Sequence, residues 1–381
     1  MPKLLIASGI FHPESGGPAT YLYHLLPHLQ AHGYDIRVLT FGEPDAERDR
    51  AYPYPITRIS RTAPFLVRNA RYAQAALPLM LWADAVYLHT LNLPLPPIPK
   101  PLIVKIVGDQ AWERAIRLGW LPPTSDIDAY QFSRYWSPLL MGNKWLNRRE
   151  IRRVKGVIVP SLYLKHMVVH WGAPLSRVQV IYNAPPFEPP PNESPAEARA
   201  ALELPLDRPI VLTVARLVAW KGVDALIEAI DAVPNALLLI AGDGEDRATL
   251  ESLTQSLGRG DQVRFLGKVP HAQTLRYMRA ADYVALYSGY EGLSHTLLES
   301  LHMGTPVIAS RKGGNPEVVT HGVNGLLVEY PRPDALRQAL AMAFEEGVQA
   351  SLAANTSVGL ERFDHTQMIA QTVAALQRFG A

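Results

Sequence analysis

Two acidic residues, Glu291 and Glu299, bracket the start of the stretch YEGLSHTLLESLHMGTPVIAS at residues 290–310. Ser294 reads as a helix N-cap, and Gly304 as the stop ahead of Pro306. A helix start carries backbone N–H groups without partners and the positive end of the helix dipole, so it favours an anion, phosphate first. With the helix beginning at Ser294, Glu299 lies roughly 7 Å along the axis at a rise of 1.5 Å per residue. Glu291 stays on the loop in front. Carboxylates accept hydrogen bonds from hydroxyls, and a nucleotide sugar carries hydroxyls on both sides of its diphosphate. The plain alternative is a solvated helix residue and a loop charge.

A second group lies upstream in VARLVAWKGVDALIEAI, where Arg216 and Lys221 flank a turn that opens a helix. Cations at the carboxyl edge of a strand would neutralise a diphosphate and stabilise the charge it gains on leaving. Singly, each would read as a surface charge. In RKGGNPEVV, Asn315 is expected as an N-cap with Pro316 as the first helical residue. The turn in AGDGEDRATLE, with Gly242 and Gly244, is expected to be structural.

Positioning these groups requires sheets, and the chain supplies two. Its 381 residues exceed one ordinary core, and 48% hydrophobic with 19% charged residues describes globular rather than disordered chains. Apolar runs at 3–8, 36–40, 85–89, 102–107 and 156–160 alternate with helical segments, which predicts an α/β layer with a mostly parallel sheet. The pattern restarts at 208–215, 236–241, 263–266, 283–286, 307–309 and 325–328, with helices expected at 222–232, 246–257 and 366–379. Between them APPFEPPPNESP reads as a stiff linker. The expected division is a first domain at 1–183, a linker at 184–195, a second domain at 196–363, and a terminal helix at 364–381 packing back on the first.

In the first domain, Gly16 and Gly17 fall between a strand and a helix, where backbone can approach a ligand closely, although tight-turn geometry alone would also place them there. Asp109, Trp112 and Glu113 follow the strand ending at 107, at the edge where open α/β sheets bind ligands. Asp109 reads there either as a ligand-facing carboxylate or as the cap of the next helix. The segment YWSPLLMGNKWLNRREIRRVK crowds Lys144, Arg148, Arg149, Arg152, Arg153 and Lys155 beside Trp136 and Trp145. It suits an ordinary solvated face or a helix resting on an anionic membrane.

Residues 1–185 hold 21 Lys and Arg against 12 Asp and Glu, and the rest 16 against 23, so the first half suits an anionic partner. No nucleic-acid module is present to make that partner a nucleic acid. Cysteine is absent, which fits a reducing compartment. The opening residues lack a leader's long apolar core, and no apolar run approaches 18 residues. The expectation is a cytoplasmic protein, with peripheral contact at the inner membrane face left open.

The motifs ARLVAWKG, AGDGEDRATLE, FLGKV, YEGLSHTLLESLHMGTPVIAS, GGNPEVV and HGVNGLLV, in this order, resemble family 4 of the retaining glycosyltransferases, which have the GT-B fold. The likeness is dense over residues 208–330. It is looser in the first domain, at FHPESGGPATYLYHLLPHLQAHG and VIVPSLYLKHMVVHWGAP. It implies two Rossmann-like domains facing a cleft, a nucleotide diphosphate sugar bound mostly by the second, and a sugar or lipid-linked acceptor bound by the first. Glu291 then falls near the donor sugar and Glu299 on the ribose. Arg216 and Lys221 meet the diphosphate, assisted by the backbone at Ser294, His295 and Thr296. Gly16 and Gly17 close over the donor, and no metal or other cofactor is implied. Many members carry a His where this chain has Gly108 and Asp109, which makes Asp109 the candidate for the remaining group at the reaction centre. His12 and His89 lie nearby in sequence. Two rivals share such a frame: a GT-B-like sugar-nucleotide epimerase, and a sugar-binding protein that closes without chemistry. The second is normally exported, and nothing in it would cluster Arg216, Lys221, Glu291 and Glu299.

Overall fold

A computed structural model describes residues 1–14, 16–133, 137–184 and 193–380. The chain forms two compact units, each built on a parallel sheet covered by helices.

The first unit takes Met1–Ala115, Arg134–Pro186 and Phe363–Ala381. Its strands are β1 (Lys3–Ser8), β2 (Asp35–Phe41), β3 (Ile56–Ile59), β4 (Ala85–Leu88), β5 (Leu102–Lys105), β6 (Gly156–Val159) and β7 (Val178–Val180). They lie in the order β3-β2-β1-β4-β5-β6-β7, every pair parallel. Leu4–Ala7 of β1 are each at most 2% exposed, as expected for a strand covered on both faces. Sequence reading missed β3 and β7. Both are edge strands, and short, half-exposed edges lack the continuous apolar signal of central ones.

The second unit takes Ile116–Ser133 and Phe187–Arg362. Its strands are β8 (Ile210–Val214), β9 (Leu237–Ala241), β10 (Val263–Gly267), β11 (Tyr283–Leu286), β12 (Val307–Ser310) and β13 (Gly325–Val328), in the order β10-β9-β8-β11-β12-β13. One core runs beneath them, through Val211, Leu226, Ile227, Leu238, Tyr283 and Leu336.

Two segments fall differently from their sequence pattern. Ile116–Ser133 lies in the first half of the chain yet belongs to the second unit. Lys312 Nζ there reaches Asp126 Oδ2 at 2.7 Å and Asp128 Oδ2 at 3.0 Å, pairs that no local pattern announces. At the end of the expected linker, Ser194 forms a capping box with Glu197, and Pro195 starts the helix Pro195–Ala201. Proline at a first helical position loses nothing, because its missing N–H would have no partner there. Residues 185–192 of the linker, and Trp136 of the basic segment, lie outside the described residues. The terminal helix runs over His365–Gly380 and groups with the first unit. Phe379 presses on β6 so closely that a Cβ at Gly156 would lie 2.3 Å from its ring.

Among the described residues no helix is long and apolar enough to cross a membrane.

Candidate functional site

In the second sheet β8 leads outward to β9 on one side, while its other neighbour is β11, which leads the opposite way to β12. The strand order therefore reverses between β8 and β11, and the loops leaving their carboxyl ends flank a crevice of the kind that binds ligands in open α/β sheets. Those two loops carry Arg216, Lys221, Glu291 and Ser294.

Past β8 the backbone continues beside β9, with Leu217 N–H donating to Asp243 O at 3.0 Å. A Cβ at Gly242 would sit 1.8 Å from Ala215 O, and one at Gly244 would sit 2.2 Å from Leu217 O. The expectation that this glycine turn is structural thus has a physical basis: it lets the Arg216 loop approach. Arg216 is exposed, its guanidinium 5.4 Å from the ring centroid of Trp220. A short 3-10 turn, Ala219–Lys221, ends in Gly222 at φ 63°, where a Cβ would lie 2.0 Å from Tyr287 O. Only glycine fits both the left-handed backbone and that contact. The turn delivers Lys221 to the loop after β11, where its Nζ meets Glu291 Oε1 at 2.5 Å.

The Glu291 loop is held from behind. Gly314 N–H donates to Glu291 O at 2.8 Å, and a Cβ at Gly313, with φ 58°, would come within 2.0 Å of the same oxygen. The second glycine pair thus shapes this loop. Its expected cap is corrected: Gly314 occupies the N-cap, and Asn315 is the first helical residue. The fully buried Asn315 side chain turns back, its Nδ2 donating to Ser310 O and Oγ at 3.1 Å each.

Ser294 caps the helix His295–His302, its Oγ accepting from Leu297 N–H at 3.3 Å. His295 and Thr296 are the first helical residues, at the positive end of the helix dipole. Glu299 lies further along it, with Oε1 3.0 Å from His271 Nε2. That hydrogen bond holds the imidazole above its usual pKa range. His271 escaped sequence reading; a His just after Pro270 at a helix start gives no chemical signal until the fold sets it against Glu299.

The remaining candidates belong to the first unit. Its sheet reverses between β1 and β4, and Gly16 and Gly17 follow β1 there. Gly16 is the N-cap of the helix Gly17–Ala31 at φ 153°, and Gly17 faces open space. Asp109 follows β5. It is 1% exposed, and its Oδ1 accepts from Ala111 N–H at 2.8 Å and Trp112 N–H at 3.2 Å. One oxygen of this carboxylate thus holds a helix start, the second of the two roles its sequence position suggested. Of the neighbouring histidines, His89 is 3% exposed, and His12 stacks on Tyr23 with its Nδ1 2.5 Å from Tyr52 Oη.

Comparison with known proteins bears on the family and the fold. The family model described as Glycosyltransferase Family 4 matches residues 15–185, and that described as Glycosyl transferases group 1 matches residues 195–356. A lipopolysaccharide core biosynthesis glycosyltransferase, LpsE of Rhizobium meliloti, is 36% identical over 37% of this chain and 41% of its own length. A D-inositol 3-phosphate glycosyltransferase of Xylanimonas cellulosilytica is 34% identical over 51% of this chain and 49% of its own. The chain thus spans about half the length, or less, of these curated relatives. Among solved structures, HepE of Anabaena, in complex with UDP and glucose, superposes with a TM-score of 0.77 at 20% identity, covering 99% of this chain and 100% of HepE. Sucrose-phosphate synthase of Thermosynechococcus elongatus gives 0.82 at 21% identity, over 99% and 98%. At such identities the likeness establishes the GT-B fold and no more.

Proposed function

This chain belongs to the family 4 glycosyltransferases, and from that premise we propose that it moves a sugar from a nucleotide diphosphate sugar to an acceptor hydroxyl, with retention at the anomeric carbon. The observation that carries the reading is the contact of Lys221 with Glu291 at the strand-order reversal of the second sheet, just ahead of the helix capped by Ser294. Anion-binding groups and a hydroxyl-accepting carboxylate meet there.

In this reading the donor diphosphate takes the place opposite Lys221 and Arg216, with N–H groups of the helix start on its oxygens. Lys221 then exchanges its bond to Glu291 for one to phosphate, which frees Glu291 to accept from donor-sugar hydroxyls. Glu299 accepts from the ribose. When the bond between the anomeric carbon and the phosphate oxygen breaks, the cations and the helix start hold the developing charge. The acceptor oxygen bonds to the same face of that carbon, and its proton passes to the departing phosphate oxygen, so no strong protein base and no metal is needed. The UDP and glucose bound by HepE make uridine diphosphate sugars the first donors to test. The relatives point to a glycan, glycolipid or polyol hydroxyl as acceptor. Peripheral contact with an anionic membrane is supported by the helix Pro138–Arg153, where Trp145 is 57% exposed among exposed arginines.

The test is a thermal-shift screen across nucleotide diphosphate sugars, since a ligand bound only by the folded state raises apparent stability. Transfer is then assayed in EDTA. Arg216→Ala and Lys221→Ala should each lower turnover about 10²–10³-fold, the scale of removing one preorganised charge-stabilising group. Near-wild-type transfer by the double variant would refute the reading.

A further inference from the structure

The excursion between β2 and β3 borders an open pocket of about 600 Å³ that the reading above leaves unused; Pro44, Asp45, Asp49, Arg50, Tyr52 and Tyr54 are among its lining residues. That volume lies in the range of small-molecule sites. Prolines in the wall fix the backbone and offer no N–H, so the shape is set before anything binds. One side is aromatic. Tyr52 and Tyr54 lie 5.9 Å apart between centroids and only 32° from parallel, and Phe11 backs both, at 5.7 Å and 6.4 Å.

The charged groups of the lining oppose one another. Arg58 donates from Nε to both oxygens of Asp49 at 2.9 Å, and from Nη2 to His12 O at 2.7 Å, while Asp45 caps the short helix Ala46–Asp49 and pairs with Arg48. Arg50 sits exposed on the rim. With two carboxylates against two guanidiniums, the lining does not select an anion. It suits groups that both donate and accept, which are hydroxyls. A ring with one C–H face for an aromatic platform and a periphery of hydroxyls is a sugar.

Placement ties this pocket to the glycine loop. Tyr52 Oη lies 2.5 Å from His12 Nδ1 and donates to His12 O at 3.3 Å, within the segment that leads from β1 to Gly16 and Gly17. On the premise of the proposed transfer, we infer that this pocket is a carbohydrate site that takes the sugar portion of the acceptor, with Tyr52 as its stacking platform. An occupant there rests on the residue that braces the glycine loop.

Saturation-transfer NMR on the full chain tests the inference, with D-glucose, D-galactose, D-mannose, D-glucuronate and myo-inositol as probes and UDP as the probe of the second unit. At least one of the five should receive saturation. Tyr52→Ala should cut that transfer at least five-fold, and the rim variant Arg50→Ala several-fold with the UDP signal unchanged. Tyr52→Phe should keep it, because the ring is the platform. The inference is overturned if none of the five receives saturation, or if transfer persists at wild-type strength in both alanine variants. Failure of the wild type to bind UDP would instead count against the proposed transfer, so the two readings fail separately.

Discussion

Individual residues show how far a side chain's chemistry depends on its setting. Asp109 and Glu291 are both acids beyond the carboxyl end of a strand, yet one is buried under helix N–H groups and the other faces a lysine. Asn caps as well as Asp, so Asp109→Asn should leave kcat near wild type and the melting temperature little changed. A fall of a hundredfold in kcat would return this carboxylate to the reaction centre. Lys105 is the opposite case, a charge-bearing group in the core. At 1% exposure its Nζ lies 3.7 Å from the ring centroid of Tyr21 and hydrogen-bonds to no carboxylate among the described residues. Burial lowers its pKa, so the unfolded chain holds a proton that the folded chain gives up more readily. The resulting penalty is full below the folded pKa and fades as pH rises toward the unfolded value. Lys105→Met should therefore stabilise the protein, by about 1 kcal/mol or more. The gain, read from denaturation at several pH values, should shrink in alkali.

Elements act here mainly by approaching each other through glycine. Helices and strands were legible in the sequence because apolar periodicity and capping are local: Ser294 and the strands β1, β11 and β13 fall where the pattern places them. The reason for the glycine pairs was not legible. Gly313 and Gly314 resemble a phosphate-binding turn in sequence, but in the fold they let one loop touch the carbonyls of Glu291 and Gly292. Gly313→Ala adds a Cβ in a left-handed conformation against backbone, so the Glu291 loop must move. It should weaken nucleotide-sugar binding at least tenfold by calorimetric titration while the helix content seen by circular dichroism is kept. Unchanged affinity would separate that loop from donor binding.

For the whole molecule, the chain runs through the two units more than once, contributing Ile116–Ser133 to the second and Phe363–Ala381 to the first. The terminal helix buries Met368, Ile369, Val373, Leu376 and Phe379. Truncation after Arg362 should accordingly lower the melting of the first unit by more than ten degrees, or abolish its transition, since losing several fully buried side chains costs about 2–5 kcal/mol each. A scanning-calorimetry trace that keeps its first-unit transition would contradict this packing. What the sequence by itself determined was the two α/β layers, the order of their motifs and the types of residue at the strand ends, all of which follow from short-range periodicity and turn chemistry. Tertiary structure alone decided which of those residues meet. Lys221 and Glu291 are seventy positions apart and touch only because β8 and β11 are neighbours at the reversal of strand order, and Asp109 is buried with one oxygen taken up by a helix start.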